Sequence, residues 1–143
     1  MVLQYILGGL VAILVSAYDF IKGSFGNKTL AVKSFFVFGV LTAVWEFATF
    51  FQRTAATTES SAFFYYIILI TSSLSQPAYL FTVLNIKQEK KEAILVFIPA
   101  IVRLLTFIFI DIQFMWTEFG WNYTLAFSGV ALEVGTFIYF GYF

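Results

Sequence analysis

The sequence predicts an all-α integral membrane protein, a bundle of about five transmembrane helices forming a single domain over residues 1–143. The chain is 61% hydrophobic and 11% charged, whereas a soluble domain carries about a quarter charged residues. Its mean hydropathy is +0.91. Its apolar runs are long enough to cross a bilayer, and short connections separate them. The predicted spans are residues 2–20, 35–51, 62–84, 93–110 and 124–143.

Small residues recur along one side of each of the first two spans. Gly8, Ala12 and Ser16 are spaced four residues apart in the first span. Such spacing lets a second helix approach closely. In the second span Gly39 and Glu46 share a face with three other small or polar residues. Both faces are therefore predicted to lie against other helices.

The third span carries a polar cluster in its middle, formed by Thr71, Ser72, Ser75, Gln76 and Pro77. Proline removes a backbone donor, so the cluster predicts a helix kink whose freed carbonyls bond to the neighbouring hydroxyls. The first interpretation is this local repair, together with hydrogen bonds between helices. The second is that the cluster forms the polar wall of a pocket.

The fourth and fifth spans each carry one charge near the middle, Arg103 and Glu133 respectively. Arginine keeps its proton in proteins, and at membrane depth it costs ~2.5–3.5 kcal/mol or more. A partner or a water-filled cavity is therefore expected beside Arg103. Residues 111–123, between these spans, are rich in tryptophan and tyrosine. They are predicted to form a loop at the membrane–water interface.

Lysine and arginine are distributed unequally among the connections. The first and third loops carry three lysines each, the second has only Arg53, and the fourth has none. Short loops rich in lysine and arginine stay in the cytoplasm. The sequence therefore predicts a multi-pass protein of the cell membrane, with its N-terminus outside and its C-terminus in the cytoplasm. The second and fourth loops are predicted to lie outside.

Glu46, Arg103 and Glu133 are predicted to lie in one layer of the membrane, since at ~1.5 Å per residue they lie roughly 8, 10 and 14 Å below the outer ends of their spans. The first interpretation is an intramembrane charge cluster that locks the bundle together. The second is a site that binds a ligand or carries protons. Two carboxylates against one arginine leave one acid unmatched, which suits a proton-coupled site or a subunit interface.

Several classes of function lack their usual residues. The chain has no cysteine and no histidine, which excludes disulfides and the usual zinc and iron–sulfur sites. The absence of histidine also removes the commonest general base. No glycine-rich phosphate loop or basic aromatic patch is present. The sequence therefore predicts a non-enzymatic protein with no catalytic residue, no cofactor, no metal and no nucleic-acid partner.

One block resembles a known family, the N-terminal sensing region of seven-transmembrane-type membrane histidine kinases. It comprises Trp45 in the second span, Pro77 in SQPAYLFTV, and Ile98-Pro99 at the start of the fourth. The stretch FMWTEFGWNYTLAF is similar to the family's outer loop. The resemblance implies a helical sensing module with its N-terminus outside. The family's last two spans, dimerisation helix and kinase domain have no counterpart in this sequence. The resemblance therefore implies a module that acts through a partner protein.

The expected function is that of a membrane protein acting through protein partners. It would be a small accessory or structural subunit of a larger membrane complex, or a membrane-embedded sensing module. The expected partners are membrane lipids and other membrane protein subunits, with an apolar ligand as a further candidate. The alternative is a small proton-coupled transporter or channel that uses Glu46, Arg103 and Glu133.

Overall fold

A computed structural model describes residues 3–22, 30–86, 95–107 and 112–125, together with Val134 and Ile138. The described chain is mostly helical. Its elements are α1 (Leu3–Lys22), α2 (Leu30–Thr54), α3 (Thr58–Ile86), a 3-10 turn (Leu95–Phe97), α4 (Ile98–Phe107), β1 (Ile112–Thr117) and β2 (Gly120–Leu125).

Three of these helices, α1, α2 and α3, are long and apolar enough to cross a membrane. They contain 20, 25 and 29 residues, and a helix needs about 20 to span the hydrocarbon core. The structure therefore confirms a mostly helical chain with candidate membrane spans. Helix α2 begins at Leu30, before the predicted second span, and α3 extends beyond both ends of the predicted third span.

Helix α2 packs between α1 and α3. The contact with α1 is close because small residues meet there. A Cβ atom on Gly39 would overlap the Ser16 side chain and lie 3.1 Å from the Ala12 carbonyl oxygen. A Cβ atom on Gly9 would lie 3.3 Å from the Ala43 carbonyl oxygen. The close helix approach predicted from the small-residue spacing is thus confirmed.

Helix α4 and the 3-10 turn before it pack against α3. Val96 of the turn is fully buried and forms a small apolar cluster with Leu84 of α3. Within the predicted fourth span, 93–110, the described helix is Ile98–Phe107. Residues 93–94 and 108–110 of the predicted span lie outside the described residues. Most of the predicted fifth span also lies outside them.

Residues 112–123 of the predicted loop belong instead to a β-hairpin, so the mostly helical chain departs from the predicted all-α fold at this segment. Strands β1 and β2 pair antiparallel, with Thr117 opposite Gly120. Alternation of aromatic and β-branched residues favours strands. The turn closes because the Thr117 hydroxyl donates to the Gly120 carbonyl at 2.7 Å. Thr124 and Leu125, predicted to begin the fifth span, continue β2.

Candidate functional site

The hairpin is attached to the α2–α3 turn by buried polar contacts. The Trp121 indole N–H donates to the Ala55 carbonyl at 2.9 Å. The Gln52 amide donates to the Trp121 carbonyl and to the Ser61 hydroxyl, both at 3.3 Å. Gln52 is 1% exposed. A buried donor without a partner costs about 1–3 kcal/mol, so these bonds hold the hairpin in one position.

Aromatic packing holds the body of the hairpin against α3. Tyr65 of α3 is buried, and its ring centroid lies 4.3 Å from that of Tyr123 and 5.5 Å from that of Phe114. These two partners lie directly opposite each other on β1 and β2. One α3 side chain therefore contacts both strands, which fixes the hairpin over one end of the helices.

A cavity of about 210 Å³ lies beneath the hairpin and is called the inner chamber. Its walls come from α1, α2, α3 and β2, and include Tyr5, Glu46, Thr49, Arg53 and Tyr123. Glu46 is half-buried and faces α1, where a Cβ atom on Gly8 would lie 3.5 Å from its carboxyl carbon. The Glu46 carboxyl group therefore lies at the α1–α2 contact, beside Gly8.

A second cavity, of about 660 Å³, is called the outer chamber. It is lined by Tyr5, Arg53, Trp116, Glu118 and Phe119, among others. Tyr5 and Arg53 line both chambers. Within the described part of the chain, the Arg53 Nε atom is buried and has no hydrogen-bond partner. The two chambers together form the candidate functional site.

The three residues of the predicted charge cluster have different placements. Glu46 lines the inner chamber. Arg103 is 9% exposed on α4, with its guanidinium carbon 5.6 Å from the centre of the Phe107 ring. Glu133 lies outside the described residues. The cluster of three charges therefore stays a prediction.

The predicted polar kink lies inside one continuous helix, α3, with Pro77 buried. The Thr71 hydroxyl donates to the Ile67 carbonyl at 2.7 Å, and Ser75 donates to the Ser72 carbonyl at 3.2 Å. Ser72 likewise donates to the Leu69 carbonyl. These bonds go to carbonyls one turn back along α3, whereas the carbonyl that Pro77 deprives of its helical donor is that of Ser73. The local-repair interpretation therefore stays a prediction.

Gln76 has a different neighbourhood from the hydroxyls of that cluster. With Ser75 it borders a groove of about 370 Å³ between α2 and α3 whose other walls are mainly aromatic and apolar. Ser75 and Gln76 thus border this groove, and the polar-wall interpretation of the cluster stays a prediction. The bend of the helix itself stays a prediction.

From the sequence, Arg53 is distinguished only as a charge in the second loop. Its signal was present, since it is the one basic residue in the second loop. Glu118 and Phe119 lie in the predicted loop 111–123, where the sequence gives them no candidate role. The alternation of Phe114 and Trp116 before a glycine could have indicated a hairpin.

Comparison with known proteins adds no relative. No protein-family model, no curated protein and no solved structure matches this chain. The resemblance to the sensing region of membrane histidine kinases therefore rests on the sequence block alone and stays a prediction.

Proposed function

We propose that the chain is a non-enzymatic, multi-pass protein of the cell membrane that acts through protein partners. It serves as a sensing module or as an accessory subunit of a larger membrane complex. Its N-terminus and its hairpin lie outside. The outer chamber supports this orientation, because it is lined by Tyr5, Arg53 and Phe119. These residues belong to the N-terminal end of the chain, the second loop and the fourth loop, which the sequence predicts to lie on the same, outer side. Lys22 lies at the opposite end of α1, in the cytoplasm.

The observation that carries this proposal is an exposed row of leucines on α1. Leu3, Leu7, Leu10 and Leu14 follow one another at intervals of four, three and four residues. Their exposed fractions are 65%, 55%, 44% and 65%. This is the heptad spacing with which one helix packs along another. Contact with lipid requires apolar side chains but no such spacing. The row is called the leucine seam.

The leucine seam lies on the side of α1 that faces away from α2. Gly9 and Ser16 are the buried residues of this helix, and at 100° per residue they lie roughly opposite the leucines. One side of α1 is thus used for packing within the chain. The other side is available for a helix of a second protein, so α1 can connect the candidate site with a partner.

Replacing Leu7 and Leu14 together with alanine is expected to weaken the partner contact more than about tenfold, because each ~1.4 kcal/mol of lost packing is a factor of ten. The measurement is the amount of partner that co-purifies per chain from native membranes in mild detergent. The matched control replaces Val11 and Val15 with alanine. Both are exposed on α1 but lie off the leucine seam, so this variant retains the partner.

The identity of the co-purifying protein separates the two forms of the proposal. A signalling protein in fixed ratio supports the sensing module, whereas a multi-subunit assembly supports the accessory subunit. A wild-type preparation containing this chain alone contradicts both. If the two double variants retain equal amounts of the partner, the leucine seam is not the surface that contacts it.

A further inference from the structure

We propose that the outer chamber binds the headgroup of an aminophospholipid, with the phosphate at Arg53 and the ammonium group at Glu118. This goes beyond an action through protein partners and does not depend on the leucine seam. It rests on two opposite charges lining one chamber, on an arginine with unused hydrogen-bonding capacity, and on the position of the chamber at the end of the apolar helices.

Arg53 supplies the anion-binding group. Its Nε atom is buried without a hydrogen-bond partner among the described residues, and its side chain borders both chambers. A guanidinium group presents several N–H donors in a plane, which fits two oxygens of a phosphate. A phosphate group in the outer chamber would accept hydrogen bonds from the part of the Arg53 guanidinium group that borders it.

Glu118 supplies the cation-binding group. It lies in the turn between β1 and β2 and lines the outer chamber together with Arg53. The turn is held against α2, because Gly120 packs directly on the Arg53 carbonyl oxygen. The acid and the base therefore border one space of about 660 Å³. A ligand carrying both charges suits this pair better than a simple anion, which Glu118 would repel.

The surroundings favour a lipid as the source of the two charges. Arg53 is the penultimate residue of α2, a candidate membrane span, so it lies near the level of lipid headgroups. Trp116 and Phe119, which also line the chamber, are 63% and 53% exposed. Exposed aromatic rings are typical of the membrane–water interface. Acyl chains could continue along the exposed apolar surface of the helices.

The test is lipid retention by the full chain, measured by native mass spectrometry after release from nanodiscs. Nanodiscs of phosphatidylcholine are doped with either phosphatidylethanolamine or phosphatidylglycerol. The wild type is expected to retain phosphatidylethanolamine preferentially, because its ammonium group has N–H donors for Glu118. Arg53→Gln is expected to retain either lipid at least about tenfold less, since charge-assisted hydrogen bonds are lost.

Glu118→Gln tests the second charge without altering the helices. It is expected to abolish the preference for phosphatidylethanolamine while leaving phosphatidylglycerol bound through Arg53. Glu59→Gln is the matched control, because Glu59 is exposed in the first turn of α3 and does not line the outer chamber. Equal retention of all three lipids by the wild type would overturn the proposal. If free phosphoethanolamine displaces phosphatidylethanolamine at a concentration equal to that of the lipid, the ligand of the chamber is not specifically a lipid.

Discussion

Replacing Gly39 with alanine is expected to force α1 away from α2. The added Cβ atom would overlap the Ser16 side chain and lie 3.1 Å from the Ala12 carbonyl oxygen. Ser16 is 1% exposed and cannot turn aside into open space. Overpacking of this kind costs about 1–3 kcal/mol and sometimes more. The measurement is thermal stability in detergent, together with the distance between spin labels on Tyr18→Cys and Val37→Cys. The chain has no native cysteine, so these are its only thiols.

A second substitution shows whether the overlap with Ser16 is the cause. Ser16→Gly removes the atoms that the new Cβ would meet and is expected to restore most of the lost stability and the spin-label distance. Ser16→Ala retains the Cβ atom of residue 16 and should give no rescue. If Gly39→Ala alone is as stable as the wild type, α1 and α2 do not pack through these residues.

Replacing Gly120 with alanine is expected to detach the hairpin from the helices. Gly120 has a φ angle of +95°, and a side-chain-bearing residue held in such a region costs about 1–3 kcal/mol. Its Cβ atom would also overlap the Arg53 carbonyl oxygen, which is rigid backbone. Both penalties act at one residue, and only movement of the hairpin relieves the second. Tryptophan fluorescence is expected to shift to longer wavelength as Trp121 leaves the Ala55 carbonyl.

The control for this experiment is Gly8→Ala. A Cβ atom on Gly8 would make ordinary van der Waals contact with Glu46, at 3.5 Å. This variant is expected to keep wild-type fluorescence and thermal stability. If Gly120→Ala behaves like Gly8→Ala, the hairpin does not dock on the α2–α3 turn in the way described.

Apolar length and small-residue spacing predicted the three long helices, α1, α2 and α3. The second and third predicted spans lie within α2 and α3, because long apolar runs have few alternatives to a helix in a membrane. Ser16 and Gly39 meet because the packing of two helices depends on residues that recur on one face of each. Such patterns are local in the chain, so they can be read without knowing the fold.

The hairpin and the candidate site could not be predicted in the same way. Mean hydropathy measures how apolar residues 111–125 are, but not whether alternate residues are apolar. The sequence-based prediction therefore places β1 in a loop and divides β2 between that loop and a membrane span. The chambers depend on contacts between distant residues, as with Gln52 and Trp121. The candidate role of Arg53 depends on the position of the hairpin beside the C-terminal end of α2. Loop position alone could not distinguish Arg53 from any other charge at a helix end.

The most direct test of a membrane-spanning chain with its hairpin outside uses single cysteines and a membrane-impermeant maleimide. Glu118→Cys reports on the hairpin turn and Lys22→Cys on the far end of α1. In intact cells the reagent is expected to label Glu118→Cys and to label Lys22→Cys only after the membrane is opened. Labelling of Lys22→Cys in intact cells, with or without Glu118→Cys, would contradict the proposed arrangement.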